Sequence, residues 1–459
     1  MPISMFIRSY IYFIPMLLQS LPIYFFAFFV MYKFLVNSNT VSLIPINYTV
    51  IRVFAFILVA QLIMILYSFS ISDKKNLTSG LATGPINIFL LLGNLCLIYS
   101  LIYLTVDSTK AAQAFFKSII WTVIVFFILV LLPQIIATRS SVLNGWVNFL
   151  GKTIEDHHRG RTFYDNGSYV TTLHRVNGLD PEASFLAVRI GVIFIPVILA
   201  SLKNQYDILS GKLKRHLSLY WTLLILLMIT LFFAKTSTGM VVIGLTVVTL
   251  FFVVPKQQRY WLWCAIIAGF LMVILLYFTN SYVHSLLEQY LFNKGGTSNR
   301  LGGTIALLRT FLHYPLFGVG FGYTSYYNFK YVPQATTHNF EFENIYMKLG
   351  YPDLSVMGSI LASFGLIVAI PLFIFIKNKL KKAKQVQTVL RTQHSSDACF
   401  VKTVIDSFYF YLIYLIVLSF LSFNLQDEIY LVMFMFYIQV INQAAKRLQS
   451  DGKEGVRDA

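Results

Sequence analysis

The sequence predicts an all-α polytopic membrane protein with about 11–12 transmembrane helices and two larger outward loops. Of its 459 residues, 57% are hydrophobic and only 12% are charged, which is too little charge to cover a soluble protein of this length. The apolar residues also form continuous blocks, such as 119–136 and 360–376. A helix of about 20 apolar residues spans a hydrocarbon core of about 30 Å, and blocks without alternation favour helices as the spanning elements.

Eleven segments fit this description and are predicted to span the membrane. They lie near residues 11–35, 50–71, 85–106, 118–136, 183–202, 217–234, 239–254, 260–279, 354–376, 404–423 and 429–443. The first block, residues 5–36, is long and contains Pro15 and Pro22, so one helix and two short broken helices both fit. The side on which the N-terminus lies depends on that choice.

The net charge of +17 is concentrated at the ends of the apolar blocks. Because lysine and arginine mark the cytoplasmic side of a membrane protein, four basic stretches are predicted to be cytoplasmic: 203–216, 256–259, 377–384 and 446–459. Lys74 and Lys75 fall on the other side and are exceptions. The same distribution of charge argues against nucleic-acid binding.

This orientation divides the chain into spans and outward loops. In order, they are N-terminal spans (1–136), a first outer loop (137–182), central spans (183–279), a large outer loop with the catalytic elements (280–353), C-terminal spans (354–443) and a cytoplasmic tail (444–459). Aromatic and aliphatic residues recur through both outer loops, which predicts that the loops are folded.

The first polar cluster runs from Arg175 through Glu182 to Arg189, across the end of the first outer loop and the start of a helix. Charged groups near the membrane core cost at least about 2.5 kcal/mol each and are usually functional. Glu182 and Arg189 are seven residues apart and share a helix face, so the three residues are predicted to line an outward cavity. The alternative is an ordinary helix start, where the dipole favours an acidic residue in the first turn.

The second cluster, residues 300–315, is typical of a helix that ends before Pro315. Arg309 and His313 share a face, whereas Arg300 lies about half a turn away. A straight helix would not direct both arginines at one ligand, unless the glycines at 302 and 303 mark a break. The alternative is an amphipathic helix on the membrane surface.

The third cluster contains His338 and Glu341, which are three residues apart and could meet on one helical turn. A histidine that is neutral near physiological pH is suited to act as a general base, although loop histidines are more often only solvated.

Four further features are weaker. The glycines at 318–322 follow a helix rather than a strand, which is weak evidence for phosphate binding. Lys235 is either a phosphate contact or a lysine at a helix end. The pair at 427–428 is either a solvated turn or part of a catalytic or sugar-binding rim, and residues 155–158 resemble a metal cluster only superficially.

These three clusters resemble the O-antigen polymerase family and, more broadly, its superfamily with the O-antigen ligases. Arg175, Gly178, Glu182, Ser184 and Ala187 match the family pattern Arg-x-x-Gly…Glu-Pro-Ser…Ala, with Ala183 in place of the usual proline. Residues 300–322 are similar to an arginine-bearing helix followed by Pro-[apolar]-Gly-x-Gly, and residues 337–339 to a His-Asn element before the next span. The turn at 237–239 often carries an arginine in the family and has none here. The resemblance covers roughly residues 170–376.

The resemblance implies a metal-independent glycosyltransferase without cofactors in the bacterial cytoplasmic (inner) membrane. Such polymerases transfer a growing glycan onto the next undecaprenyl diphosphate-linked oligosaccharide repeat and release the carrier diphosphate. A chain-length regulator protein is a further partner that the resemblance suggests, beside the lipid bilayer itself.

The residue types suit that chemistry. Arginine offers a planar, bidentate fork for phosphate oxygens, and the candidate ligands of the substrate diphosphate are, in decreasing order, Arg300, Arg175, Arg309 and Arg189. The attacking sugar hydroxyl needs a base within hydrogen-bond reach. His338 is the first candidate for that catalytic base and Glu182 the second.

Two other functions stay open at this point. One is an O-antigen ligase, which transfers finished polymer to a lipid A core; the element from Arg175 to Ser184 favours the polymerase. The other is a flippase or transporter of lipid-linked oligosaccharide. Transporters often show internal repeats and charged residues at the membrane midplane, whereas no repeat is evident here and the polar residues gather in outer loops.

Overall fold

The computed structural model describes residues 21–36, 48–72, 81–157, 160–281, 284, 288, 297–393, 395–422 and 427–457. Within these residues the α-helices of five or more residues, numbered in chain order, are α1 (Leu21–Val36), α2 (Tyr48–Ile71), α3 (Thr83–Thr105), α4 (Thr109–Ala137, with a π-helical turn at Phe127–Leu131), α5 (Asn144–Thr153), α6 (Arg161–Asp165), α7 (Tyr169–Leu173), α8 (Ala183–Asn204, with a π-helical turn at Ile190–Phe194), α9 (Leu217–Phe233), α10 (Ser237–Val253), α11 (Arg259–Thr279), α12 (Thr297–His313), α13 (Thr324–Tyr331), α14 (Val356–Phe364), α15 (Leu366–Leu390), α16 (Ser396–Leu421) and α17 (Glu428–Arg457). A two-residue hairpin pairs β1 (Tyr206–Asp207) with β2 (Lys212–Leu213), antiparallel.

Six of the described helices are long and apolar enough to cross a membrane. They are α2 from Ile51, α3, α4, α8, α16 and α17 as far as Gln449. Helices α9 and α10 are also apolar, with 17 residues each, and α11 has 21 residues. The chain is therefore an all-α polytopic membrane protein, as predicted. The first part of the first predicted span, with Pro15, lies outside the described residues, and so do Lys74 and Lys75.

Helix α8 lies at the centre of the bundle, and 94% of its most apolar stretch is buried. It packs against α16, α9 and α10. The approach of α10 is so close that a Cβ added at Gly191 would lie 2.9 Å from the side chain of Val242. This packing holds the outer ends of α8 and α10 side by side, and both ends belong to the site described below.

The span predicted at 354–376 is interrupted at Gly365. Helix α14 ends at Phe364 and α15 starts at Leu366, while Gly365 adopts a left-handed φ of 63°. The backbone groups freed by this break form four hydrogen bonds of 2.8 to 3.1 Å with residues 315–320. A break within a membrane span requires such internal partners, because lipid offers none.

Helices α12 and α13 form a hairpin that supplies those partners. Their connecting loop is fixed to α2, where Gln61 Nε2 donates to the Phe317 carbonyl at 3.0 Å and Gln61 Oε1 accepts from the Phe321 amide at 3.1 Å. Gln61 is fully buried and lies about 15 Å along α2 from the outer end at Ile71. Part of the predicted large outer loop therefore re-enters the bundle between the spans.

The glycines at 302 and 303, which were considered as a possible break, do not interrupt α12, because the helix is continuous from Thr297 to His313. The two glycines instead allow close packing. A Cβ at Gly302 would collide with the Thr336 side chain, and one at Gly303 would lie 3.0 Å from the Tyr351 ring. The prediction that this helix ends before Pro315 is confirmed.

Candidate functional site

The candidate site surrounds the turn between α9 and α10, on the predicted outer side. Lys235 adopts a left-handed φ of 51° in this turn and is almost fully buried. Thr236 caps α10, because its Oγ1 accepts a hydrogen bond from the Gly239 amide at 2.8 Å. The first amide groups of a helix carry partial positive charge. The turn thus combines a helix N-terminus with an ammonium group.

Arg175 and Arg300 reach this turn from the two outer loops. Arg175 Nε donates to the Ala234 carbonyl at 3.3 Å, and Arg300 Nη1 contacts Thr238 Oγ1 at 3.4 Å. Both side chains are half-buried. Three cations from distant parts of the chain therefore border one turn. Such an arrangement suits an anion with several oxygen atoms.

Glu182 lies at the outer end of the neighbouring helix α8. Its backbone is extended (φ −148°, ψ 155°), so Glu182 is the N-cap and not part of the first helical turn that was predicted. The next residue, Ala183, shares a buried cluster with Ala234 and Tyr169. Glu182 is therefore held close to the turn between α9 and α10.

His338 lies on the segment that packs against the first turn of α12. The side chains of Asn299 and Asn339 form a reciprocal pair, with hydrogen bonds of 2.8 and 2.7 Å. Because Asn299 precedes Arg300 and Asn339 follows His338, this pair places the two candidate residues on adjacent segments. The His338 side chain is exposed. The prediction did not include Asn299, whose only signal in the sequence is its position before Arg300.

Glu341 belongs to the same cluster but does not pair with His338. Its carboxylate accepts hydrogen bonds from Asn299 Nδ2 at 2.8 Å and from the Tyr346 hydroxyl. Burial raises the pKa of Tyr346, the negative charge of Glu341 and its hydrogen bond raise it further, and the nearby Arg300 opposes the shift. Tyr346, Glu341 and Asn299 thus surround the start of α12 beside Arg300.

Arg309 lies apart from this cluster. It is exposed, and its Nη1 donates to the Tyr331 carbonyl at 3.1 Å on the opposite side of α12 from Arg300. His313 shares that side, where its ring stacks on Tyr331 at 4.5 Å. The expectation that a straight α12 cannot direct Arg300 and Arg309 at one ligand agrees with these contacts.

Arg189 is buried within the bundle rather than on the rim of a cavity. Its Nη2 lies 2.5 Å from Asp180 and 3.1 Å from Asp427, and only 8% of its side chain is exposed. Asp427, which was predicted to be either a solvated or a sugar-binding residue, is thus a partner of Arg189. Arg189 joins the first outer loop, α8 and the start of α17.

The glycine-rich loop at 315–322 has its backbone groups engaged within the protein. Its amides and carbonyls bond to residues 362–367, to Gln61 and to Ser68. Gly318, Gly320 and Gly322 have left-handed φ values of 69°, 91° and 88°. The loop therefore has the geometry of a structural joint and not that of a phosphate cradle.

Clustered cations at the N-terminus of a helix are suited to bind an anion with several oxygen atoms, such as a phosphate group. The family model described as O-antigen ligase matches residues 222–351 of the chain. The match supports a place in the O-antigen ligase and polymerase superfamily, whose members are membrane enzymes that transfer lipid-linked glycans. The matched stretch contains Lys235, Arg300 and His338, whereas Arg175 and Glu182 precede it. No curated protein and no solved structure matches the chain.

Proposed function

We propose that the protein polymerises oligosaccharide repeats carried on undecaprenyl diphosphate at the outer face of the bacterial cytoplasmic membrane. The observation that carries the proposal is the meeting of Arg175, Lys235 and Arg300 at the N-terminus of α10. A diphosphate has the charge and the oxygen atoms that these groups favour. The order of the polar elements along the chain supports the same class of enzyme.

The three cations bind and stabilise the leaving group. Arg300 and Arg175 contact the diphosphate of the donor, and Lys235 supplies the third cation at a turn that in similar proteins often carries an arginine. As the bond between the anomeric carbon and the phosphate oxygen breaks, its electron pair leaves with the oxygen. Preorganised cations lower the energy of that developing charge.

His338 acts on the attacking group. The acceptor hydroxyl, on the next lipid-linked repeat, forms a bond to the anomeric carbon of the growing chain and gives its proton to the His338 ring. Polyprenyl diphosphate is then released. Glu182 is the second candidate for this base, because it lies beside the same turn.

Arg189 and Arg309 have no place among the diphosphate ligands that we propose. Arg189 is engaged with two carboxylates inside the bundle. Arg309 lies on the far side of α12 from the cluster. Arg189 acts instead in positioning α8.

A ligase is the second candidate, because the matching family model is described as O-antigen ligase. The two functions differ in the acceptor and not in the donor, so the diphosphate site suits both. The element from Arg175 to Ser184 favours the polymerase.

Deletion of the gene in its host, with gel analysis of surface and lipid-linked glycans, tests the proposal. Single repeats in place of a polymer ladder are expected, and complementation with a His338→Ala variant at equal protein level should leave them unchanged. Full-length polymer that stays on the lipid carrier would indicate that the protein is a ligase. Repeats held on the cytoplasmic face would indicate a flippase, and an unchanged glycan profile would refute every glycan role.

A further inference from the structure

Helix α12 carries an apolar stripe that the described residues leave partly uncovered. Leu301 and Leu312 are 60% and 72% exposed, and Ile305 and Leu308 between them are half-buried. These positions recur at intervals of four, three and four residues, so they lie on one face. The stripe extends about 16 Å along the helix.

The stripe begins at the cation cluster and leads into the bundle. Arg300, which contacts Thr238, directly precedes Leu301. At the other end α12 reaches the loop that Gln61 holds beside the middle of α2. Leu316, at the start of that loop, is 62% exposed. Helix α12 therefore has the cation cluster at its outer end and an apolar surface along its length, which leads between the spans.

The depth of α12 follows from its packing on α14. A Cβ at Gly303 would lie 3.2 Å from Leu354, and one at Gly358 would lie 3.1 Å from Leu307. Further along, the Leu366 amide donates to the Pro315 carbonyl at 2.8 Å. In each of these contacts the residue of the second segment lies the same number of positions after its partner in α12 or the following loop. The two helices therefore run parallel, from the outer side toward the break in the span.

We propose that the stripe from Leu301 to Leu312 binds the isoprenoid tail of the lipid-linked donor. This inference rests on the proposed function and adds the place of the lipid to it. A polyprenyl diphosphate has an anionic head and a long hydrocarbon tail. The cations at the start of α12 and the leucines below them present the complementary surfaces in the same order. Ordinary bilayer lipid lacks the diphosphate that would fix its position here.

Photo-crosslinking tests the site in the purified full-length protein in lipid nanodiscs. A photoreactive amino acid replaces Leu312, or Ile128 as a control that is 56% exposed and lies on a different apolar helix, α4. The probe is a radiolabelled long-chain polyprenyl diphosphate without glycan. Labelling at 312 and not at 128, lost on addition of unlabelled probe but kept in excess phosphatidylglycerol, is the expected result. Equal labelling at both positions, or loss with phosphatidylglycerol, would overturn the proposal.

Kinetics supply a second measurement. Leu312→Ser should raise the KM for a long-chain donor about tenfold and leave kcat near its original value, because the tail and not the reacting head is affected. Inhibition by inorganic pyrophosphate should not change, and Ile128→Ser should leave the KM unchanged. A normal KM in Leu312→Ser would count against the stripe.

The two proposals fail in different ways. Specific labelling at 312 in a protein whose deletion leaves the glycan profile unchanged would keep the tail site and refute the polymerase. Loss of the polymer ladder on deletion, with no specific labelling at 312, would keep the polymerase and refute the tail site.

Discussion

Arg300 and Arg309 are a natural pair for separating function from folding at the level of single residues. They share one helix and differ in surroundings: Arg300 is half-buried and contacts Thr238, whereas Arg309 is exposed and contacts Tyr331. Sequence spacing already placed them on opposite sides of α12. The spacing did not indicate which side would meet the rest of the site.

We expect Arg300→Ala to lower the polymerisation rate about 100-fold, because hydrogen bonds to a charged group contribute about 1.5–3 kcal/mol each and the phosphate would lose such contacts. Arg300→Lys should be intermediate, since it keeps the charge and loses the fork. Arg309→Ala is the matched control and should stay within about twofold. Rates are measured with purified lipid-linked repeats at equal enzyme concentration. Equal losses in Arg300→Ala and Arg309→Ala would contradict the assignment.

Glu155 is a second residue with a testable property. It is buried in the first outer loop and accepts hydrogen bonds from the Asn177 side chain and the Tyr169 amide. Burial raises the pKa of Glu155 to about 8; the hydrogen bonds from Asn177 and Tyr169 oppose the shift, and the neighbouring carboxylates of Asp156 and Asp180 add to it. The folded protein therefore keeps a proton on Glu155 at pH 7, where the unfolded chain has released it.

The sign of the pH dependence follows. Between the ordinary glutamate pKa of 4.5 and the folded value of about 8, the unfolded state binds fewer protons, so stability falls as pH rises, by about 1.4 kcal/mol per pH unit for one group. Glu155→Gln should remove this contribution, and its melting temperature should decline less than that of the unchanged protein between pH 5 and 8. Thermal unfolding in detergent measures the melting temperatures of both proteins. Parallel pH profiles would show that Glu155 is ionised in the folded protein.

At the level of helices and loops, apolar blocks predicted most spans closely. The segments predicted at 217–234 and 260–279 correspond to α9 (Leu217–Phe233) and α11 (Arg259–Thr279). Such agreement is expected, because the thickness of the bilayer fixes the length of an apolar helix. In lipid, the backbone N–H and C=O groups must also form their hydrogen bonds within the helix itself.

The break at Gly365 and the hairpin of α12 and α13 were not predicted. Residues 354–376 are apolar throughout their second half, so hydropathy indicates one uninterrupted span. The break depends on partners about 50 residues earlier in the chain, since residues 315–320 bond to residues 362–367. Gln61 is a polar residue within the span predicted at 50–71, and such a residue does not reveal which distant segment it holds.

Gly365→Ala tests this joint. Gly365 has a φ of 63°, and a Cβ there would lie 2.6 Å from the backbone nitrogen of Gly318. Strain at such a position costs about 1–3 kcal/mol, and the collision with backbone adds to it, so we expect a melting temperature several degrees lower and less protein in the membrane. Gly244→Ala in α10 is the control, since nothing lies within 4 Å of a Cβ there. Equal thermal stability of the two variants would argue against the joint.

At the level of the whole molecule, Arg189 ties together parts that are far apart in the sequence. Its partner Asp180 closes the first outer loop, and Asp427 directly precedes α17, the last helix. The site depends on the outer ends of α8 and α10, and this contact holds α8 against the first outer loop and the start of α17. No sequence pattern paired Arg189 with Asp427, because the two lie 238 residues apart.

Variants of this triad decide between a structural and a substrate-binding role for Arg189. Removing one partner of a buried ion pair costs about 3–5 kcal/mol, because the other charge stays buried without compensation. Arg189→Met should therefore destabilise the protein strongly. The triple variant Asp180→Asn, Arg189→Met, Asp427→Asn carries no buried charge at these positions, so it should recover most of the lost stability.

The activity of that triple variant completes the test. If Arg189 only holds the helices in place, polymerisation should recover together with the melting temperature, because Arg175, Lys235 and Arg300 are intact. Thermal unfolding and rates with lipid-linked repeats are measured on the same preparation, so that loss of folded protein is not mistaken for loss of catalysis. A triple variant that is stable but inactive would return Arg189 to the ligands of the diphosphate.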